Sequence, residues 1–370
     1  MERVKTVMIG VGNISDIYLK NITQTFKEIE LVGVCDLIRE RAEKAQQEYN
    51  IPKIYNTMYD AFADPDIQLV LNITRPYEHY GVSKAALEAG KHVYSEKPLA
   101  ADLEEGKELL LLAREKGLML GGAPDTFLGA GIQTCRRLID DGYIGTPIGS
   151  AAYMIGCGHE SWHPDPEFYY KRGGGPMFDM GPYYLTAMIN LMGGVDKVFS
   201  ASKITFPQRT ITSQPQAGKV VDVDVNTYIA GTVQYTSGAI GTIFTTFDVQ
   251  FPRDKSRFIE IYGSEGTLFV PDPNNFSGSI QLYRPEQGSL KEIPMMYGYP
   301  ENSRGLGLAD MAKSLLTGRQ ARCDVQQTYH VLEIIEGFET SANTGAWTNI
   351  ESVYNRAPGM VRPKLKGILD

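Results

Sequence analysis

The sequence predicts an α/β protein with two domains, one of alternating strands and helices over residues 1–122 and a strand-rich α/β domain over residues 123–370. Three observations carry that expectation. A β-branched run, a glycine turn, an amphipathic stretch, a second apolar run and an acid follow one another between Val4 and Asp36. Strand-like and helix-like patterns then alternate to Leu120, as in a parallel sheet with helical crossovers. From Lys197 the pattern becomes a series of strands, separated by turn residues such as Ser237-Gly238.

Composition narrows the class. The 370 residues are enough for two cores, and 42% hydrophobic with 22% charged residues is ordinary for a globular chain. No apolar run reaches the ~18 residues of a membrane span. Met1-Glu2-Arg3-Val4-Lys5 leads straight into a strand, without the apolar core of a secretion signal. Cysteines 35, 135, 157 and 323 form no C-x-x-C, so reduced thiols in a cytoplasmic protein are expected. A net charge of −8 with no basic cluster argues against nucleic acid or an anionic membrane as partner.

The first strand, Val4 to Ile9, opens into Gly10-Val11-Gly12-Asn13-Ile14-Ser15. This is G-x-G-x-x-S where the dinucleotide fingerprint has G-x-G-x-x-G/A. Gly10 permits the turn, Gly12 lets the backbone approach a pyrophosphate, and Ser15 is small enough for helix–strand packing. A helix from Ile14 to Phe26 would point its N-terminus at the phosphates, beside Asn13 and Ile14. The strand Leu31 to Cys35 ends at Asp36, the acid expected on the adenosine ribose. A carboxylate accepts from a 2′-hydroxyl and repels a 2′-phosphate, so NAD is expected over NADP. Arg39 and Arg41 lie near, and exposed charges on the next helix account for them.

Helices are expected over Leu37 to Tyr49 and Thr57 to Phe62, then a buried strand over Ile67 to Ile73. That strand ends in Thr74-Arg75-Pro76, followed by His79. A helix from Tyr77 to Ala89, capped by Gly90, leads to the strand His92 to Tyr94 and then Ser95-Glu96-Lys97-Pro98. In an open parallel sheet, ligands sit outside the carboxyl ends of the strands, so Thr74, Arg75, His79, Glu96 and Lys97 join the expected cofactor set. Lys97 can also pair with a carboxylate and hydrogen-bond a substrate hydroxyl. Alone, a Glu-Lys-Pro triplet means little, since most such triplets are solvated turns. A helix from Asp102 to Lys116 and a strand from Leu118 to Leu120 follow, with Gly121-Gly122 as the hinge out of the domain.

Gly10-Val11-Gly12, Val34-Cys35-Asp36, His79 and Ala89-Gly90-Lys91-His92-Val93-Tyr94-Ser95-Glu96-Lys97-Pro98-Leu99-Ala100 together resemble the Gfo/Idh/MocA oxidoreductases. That family includes glucose–fructose oxidoreductase, inositol dehydrogenases and related sugar dehydrogenases. The resemblance covers essentially the whole chain. It implies an N-terminal Rossmann domain and a C-terminal α/β domain with an open, mostly antiparallel sheet, whose free face commonly serves oligomerisation. It also implies that Lys97 lies beside the nicotinamide and contacts the substrate.

In the second domain a helix from Ile132 to Ile139 and a strand from Pro147 to Met154 are expected. His159 to His163 spells H-E-x-x-H. Gly156 and Gly158 precede it and Pro164 follows, which disfavours the helix a zinc site needs, so no metal is expected. Two readings remain, an active-site loop with Trp162 and His163 near a sugar, or an ordinary loop. After Gly173-Gly174-Gly175, a helix from Asp179 to Met192 would put Asp179 and Tyr183 on one face as i and i+4. The segment resembles the family's D-x-G-x-H, which supplies an aspartate and a catalytic histidine. Asp179 and Gly181 match, and Tyr183 stands at the histidine position. A Lys97–Tyr183 pair could relay the proton, His163 could be the base, or Tyr183 could be only a wall of the pocket. Strands are expected over residues 226–235, 240–249, 257–262, 267–270 and 279–283, helices over 303–317 and 327–343, and a loosely held tail from Pro358.

The expected function is an NAD-dependent dehydrogenase acting on a secondary alcohol of a sugar, cyclitol or sugar derivative, as a homodimer or homotetramer. Lys97, Asp179 and Tyr183 are the expected catalytic residues, with Trp162 and His163 on the substrate. NAD-assisted glycoside cleavage would use the same residues. A non-catalytic NAD-binding sensor is the reading that Tyr183 motivates.

Overall fold

Six parallel strands build the first sheet in a computed structural model that describes residues 2–250, 258–361 and 366–370. In chain order the elements are β1 (Val4–Ile9), α1 (Ser15–Gln24), β2 (Ile29–Cys35), α2 (Arg39–Tyr49), β3 (Lys53–Ile54), α3 (Met58–Ala63), β4 (Leu69–Asn72), α4 (His79–Glu88), β5 (His92–Ser95), α5 (Leu103–Glu115) and β6 (Leu120–Gly122). The spatial order is β3-β2-β1-β4-β5-β6, every pair parallel. The order reverses between β1 and β4, the switch point where doubly wound sheets bind ligands. Local chemistry explains the helices. Thr57 and Asp60 form a capping box on α3, and the Asp102 carboxylate accepts from Glu105 N–H to start α5.

The expected hinge at Gly121-Gly122 is instead part of β6. Backbone crowds both glycines. A Cβ on Gly121 would lie 1.9 Å from Cys323 O, and one on Gly122 would lie 2.6 Å from Ser95 O. The strand therefore needs glycine where the sequence pattern suggested flexibility.

After α6 (Ala130–Asp140) come β7 (Pro147–Ile155), α7 (Gly175–Asp179), α8 (Gly181–Met192), β8 (Val195–Lys203), β9 (Gln208–Thr210), β10 (Val220–Asp222), β11 (Tyr228–Tyr235), β12 (Ile240–Thr246), β13 (Ile259–Gly263), β14 (Thr267–Val270), β15 (Gln281–Tyr283), β16 (Leu290–Glu292), α9 (Leu306–Thr317), α10 (Val325–Thr344) and β17 (Thr348–Asn349). Nine of these strands form a second sheet in the order β16-β15-β14-β13-β7-β12-β11-β8-β17. All pairs are antiparallel except β7 with β12. Arg257, where one strand was expected to begin, lies outside the described residues. Val198, Ile229, Val233, Ile243, Ile259 and Leu268 fill the covered face and are buried. Phe199, Tyr228, Ala230, Thr242 and Phe244 point the other way and are exposed or half-buried.

The compact units differ from a single division after residue 122. One comprises residues 1–133, 296–329 and 357–370, the other residues 134–295 and 330–356. Side chains explain the return of the chain to the first unit. Asn21 Nδ2 donates to the carbonyls of Asn302 and Arg304, each at 2.9 Å, and Asp125 Oδ2 accepts from Gly305 and Gly307 N–H at 2.8 and 3.0 Å. The tail expected to be loosely held is anchored. Arg322 donates to Pro358 O, Gly359 O and Asp370 Oδ2, Gln133 Oε1 accepts from Met360 N–H, and Glu28 Oε1 accepts from Leu369 N–H. Residues 362–365 lie outside the described residues.

Candidate functional site

The first unit presents a glycine turn at the switch point. Gly10 has φ +96°, and a Cβ there would meet Ile73 O at 2.8 Å, so only glycine fits. A Cβ on Gly12 would meet no heavy atom within 4 Å. Among the described residues nothing demands glycine at 12, and the open space beside it suits a pyrophosphate's close approach. Ser15 is buried and its hydroxyl donates to Gly12 O at 2.7 Å, which fits the small-residue position. Asn13 and Ile14 are exposed, and among the described residues no side chain caps the N-terminus of α1.

Asp36 ties this turn to the end of β2. Its Oδ2 accepts from Val11 N–H at 2.6 Å and its Oδ1 from Ile38 N–H at 2.8 Å. Arg39 is engaged elsewhere, with Glu43 and Asn56. These residues fit a dinucleotide whose ribose is read by a carboxylate.

The loops after β4 and β5 are braced from beneath. Buried Asn72 donates to His79 O and Ser83 Oγ at 3.0 Å, and its Oδ1 accepts from Thr74 Oγ1 at 2.7 Å. Arg75 is exposed and donates to Tyr77 Oη. His79 is 1% exposed, with Nδ1 2.8 Å from Pro98 O and Nε2 3.1 Å from Thr74 O. Burial holds its pKa below the ordinary histidine value, against the pull of the two carbonyls and Glu96. The ring thus joins the two loops from below rather than facing solvent. Glu96 Oε1 accepts from Tyr18 Oη at 2.5 Å and Oε2 from Lys97 N–H at 3.0 Å. Lys97 itself is half-buried. Tyr18 and Asn72 are braces that the sequence reading missed. Asn72 left a signal, a polar residue closing an apolar strand, and Tyr18 left none.

The second unit holds the other group of expected residues. Asp179 does not begin a helix that continues through Tyr183, as the i, i+4 expectation required. It ends α7, and α8 starts at Gly181. Pro182 has no N–H to continue the ladder, so the chain re-initiates, with Met180 N–H donating to Pro176 O and Tyr183 N–H to Met180 O. Tyr183 is 8% exposed, inside a helix whose every residue is buried.

Residues 159–163 form an irregular turn, not a helix. Trp162 is 61% exposed. His163 Nδ1 accepts from Asp165 N–H at 3.1 Å, and the ring lies among Trp162, Phe168 and Tyr169. Burial pulls its pKa below the ordinary value. The histidine facing Asp179 is His159, with Nε2 3.3 Å from Asp179 Oδ2. In the sequence the H-E-x-x-H spacing offers His159 only as a metal ligand, because spacing does not say which loop histidine meets a distant aspartate.

Comparison with known proteins agrees with both halves. Residues 4–122 match the oxidoreductase family GFO/IDH/MocA, described as having an NAD-binding Rossmann fold, and residues 132–269 match a GFO/IDH/MocA C-terminal domain. The chain is 27% identical to scyllo-inositol 2-dehydrogenase (NAD(+)) of Bacillus subtilis, over 72% of this chain and 74% of the relative. It is 24% identical to D-glucoside 3-dehydrogenase of Escherichia coli, over 92% and 96%. A levoglucosan dehydrogenase solved with NADH and levoglucosan superposes with TM-score 0.80 at 19% identity, over 95% of this chain and 100% of that one, and shows the shared fold.

Proposed function

We propose that this chain, which belongs to the GFO/IDH/MocA oxidoreductase family, oxidises a secondary alcohol of a sugar, cyclitol or glycoside with NAD. The observation that carries the reading is the glycine turn bonded to Asp36, a complete cradle for a dinucleotide with a free ribose 2′-hydroxyl. The two relatives named for inositol and glucoside oxidation support the substrate class.

When bound, NAD supplies the hydride-accepting nicotinamide. The backbone of residues 10–15 holds the pyrophosphate and Asp36 the ribose. Thr74, Arg75 and Glu96 complete the cofactor side, with His79 bracing them. Lys97 hydrogen-bonds the reacting hydroxyl, and Asp179 and Tyr183 share with it the work of taking the hydroxyl proton. Trp162 and His163 meet the sugar ring. The protein works as a homodimer or homotetramer, through the uncovered face of the nine-stranded sheet. Three of its four free cysteines are buried, consistent with a cytoplasmic protein.

The test is NADH production across a panel of sugars, cyclitols and glycosides. A substrate that reduces NAD is expected. Free sugar release from a glycoside without net NADH would move the assignment to NAD-assisted cleavage. Tight NAD binding with no turnover of any kind would make the protein a sensor.

A further inference from the structure

We infer that His159 is the positioning residue for Asp179, an inference that rests on the proposed oxidation and gives the loop after β7 a part in it. The two side chains meet at 3.3 Å and are 15% and 14% exposed. Packing leaves the imidazole little freedom. Tyr169 lies against it with ring centroids 4.0 Å apart, and Phe247 and Trp162 meet it edge-on at 4.7 and 5.2 Å. Nδ1 is sealed from solvent and has no hydrogen-bond partner among the described residues.

That sealed atom decides the tautomer. A buried N–H without an acceptor loses a full hydrogen bond, whereas a buried lone pair is the better tolerated orphan. The proton therefore sits on Nε2, which donates to Asp179 Oδ2 and fixes the rotation of its carboxylate.

The loop is clamped one residue further on. Arg209, 7% exposed, donates through Nη1 to Glu160 Oε1 at 2.9 Å and through Nη2 to the Asp248 carboxylate. Asp248 also accepts from Thr227 Oγ1, and Glu160 O accepts from the backbone N–H groups of Thr212 and Ser213. One guanidinium holding two carboxylates keeps the His159 backbone in register with Asp179. A histidine serving only to fill the aromatic cage would lose nothing when its Nε2 donor is removed at constant ring packing, and this separates the two roles.

His159→Phe keeps the aromatic packing and deletes the donor, and His159→Gln restores an amide N–H of similar reach. On a substrate that the wild type oxidises, His159→Phe is expected to lower kcat on the order of 10²-fold, with KM and NAD affinity little changed. His159→Gln should recover about tenfold of that loss. A folded His159→Phe with wild-type kcat, or a folded His159→Gln no better than His159→Phe, overturns the inference. A second readout needs no substrate. In nitrogen NMR of the chain's five histidines, His159 should show the Nε2–H tautomer and shift in Asp179→Asn. An Nδ1–H tautomer, or no response to Asp179→Asn, overturns this inference alone. Absence of NADH from every substrate overturns the oxidation and this inference with it.

Discussion

At the scale of single residues, the ribose contact proposed for Asp36 must share one carboxylate with the backbone. Its two oxygens already accept Val11 and Ile38 N–H, and each keeps a second lone pair for ribose hydroxyls. NAD should therefore bind more tightly than NADP, and Asp36→Ala should cost NAD about 1.5–3 kcal/mol, a weakening of about 10- to 150-fold. Fluorescence titration of both cofactors checks this, and equal or tighter NADP binding by the wild type would defeat it. Lys97 is the second residue to test. Lys97→Ala should keep NAD affinity and thermal stability while lowering turnover on the order of 10²–10⁴-fold. Near-normal turnover would remove Lys97 from the chemistry. The glycine turn and its contact with Asp36 were legible in sequence because their geometry is local. A turn between two adjacent strands brings Gly10, Gly12 and Asp36 together wherever the pattern occurs. His159 was not legible, because Asp179 reaches it only after β7, the 159–163 turn and α7 have folded around Phe247.

At the scale of elements, the sequence failed where backbone packing outranked residue type. Gly121 and Gly122 read as a hinge and serve as a strand, and Pro182 split a helix that Asp179 was expected to start. The anchoring of α9 gives a third test. Asp125 is buried and accepts two N–H groups at the start of that helix. Burial raises its pKa to about 6, against the opposing pull of the Gly307 amide and Arg304. The folded state thus binds a proton more firmly than the unfolded chain between about pH 4 and pH 6. Stability must fall as pH rises through that window, by about 3 kcal/mol in all. Asp125→Asn keeps an acceptor for the helix amides and removes the titration. Relative to the wild type, the variant should gain melting temperature as pH climbs from 4 to 6.5. A constant difference across that range would show that Asp125 ionisation is not coupled to folding.

At the scale of the whole molecule, the two-sheet plan was readable from the change of pattern near Lys197, but the compact units were not. Pattern reading follows the chain, whereas Asn21 and Asp125 recruit residues more than 150 positions away, which no local signal announces. Strand register, by contrast, shows which side of the second sheet lacks cover. Phe199, Ala230, Thr242 and Phe244 share that side with Tyr228, which meets Phe244 edge-on at 4.8 Å, and Trp347 packs on Phe199 at 5.7 Å. Nine strands about 4.8 Å apart and about 20 Å long present roughly 750 Å² per protomer. Two copies would bury about 1,500 Å², within the range of stable specific interfaces. A face of that size with aromatic and small residues at its centre is costly to leave in water. Light scattering at micromolar concentration should therefore give a mass at least twice the 41.0 kDa of one chain. Ala230→Glu, at an exposed mid-strand position, would place a charge at the centre of the contact and should return the protein to one chain's mass without unfolding it. A wild-type mass near that of one chain would rule out the assembly. An Ala230→Glu variant that keeps the larger mass would move the contact to another surface.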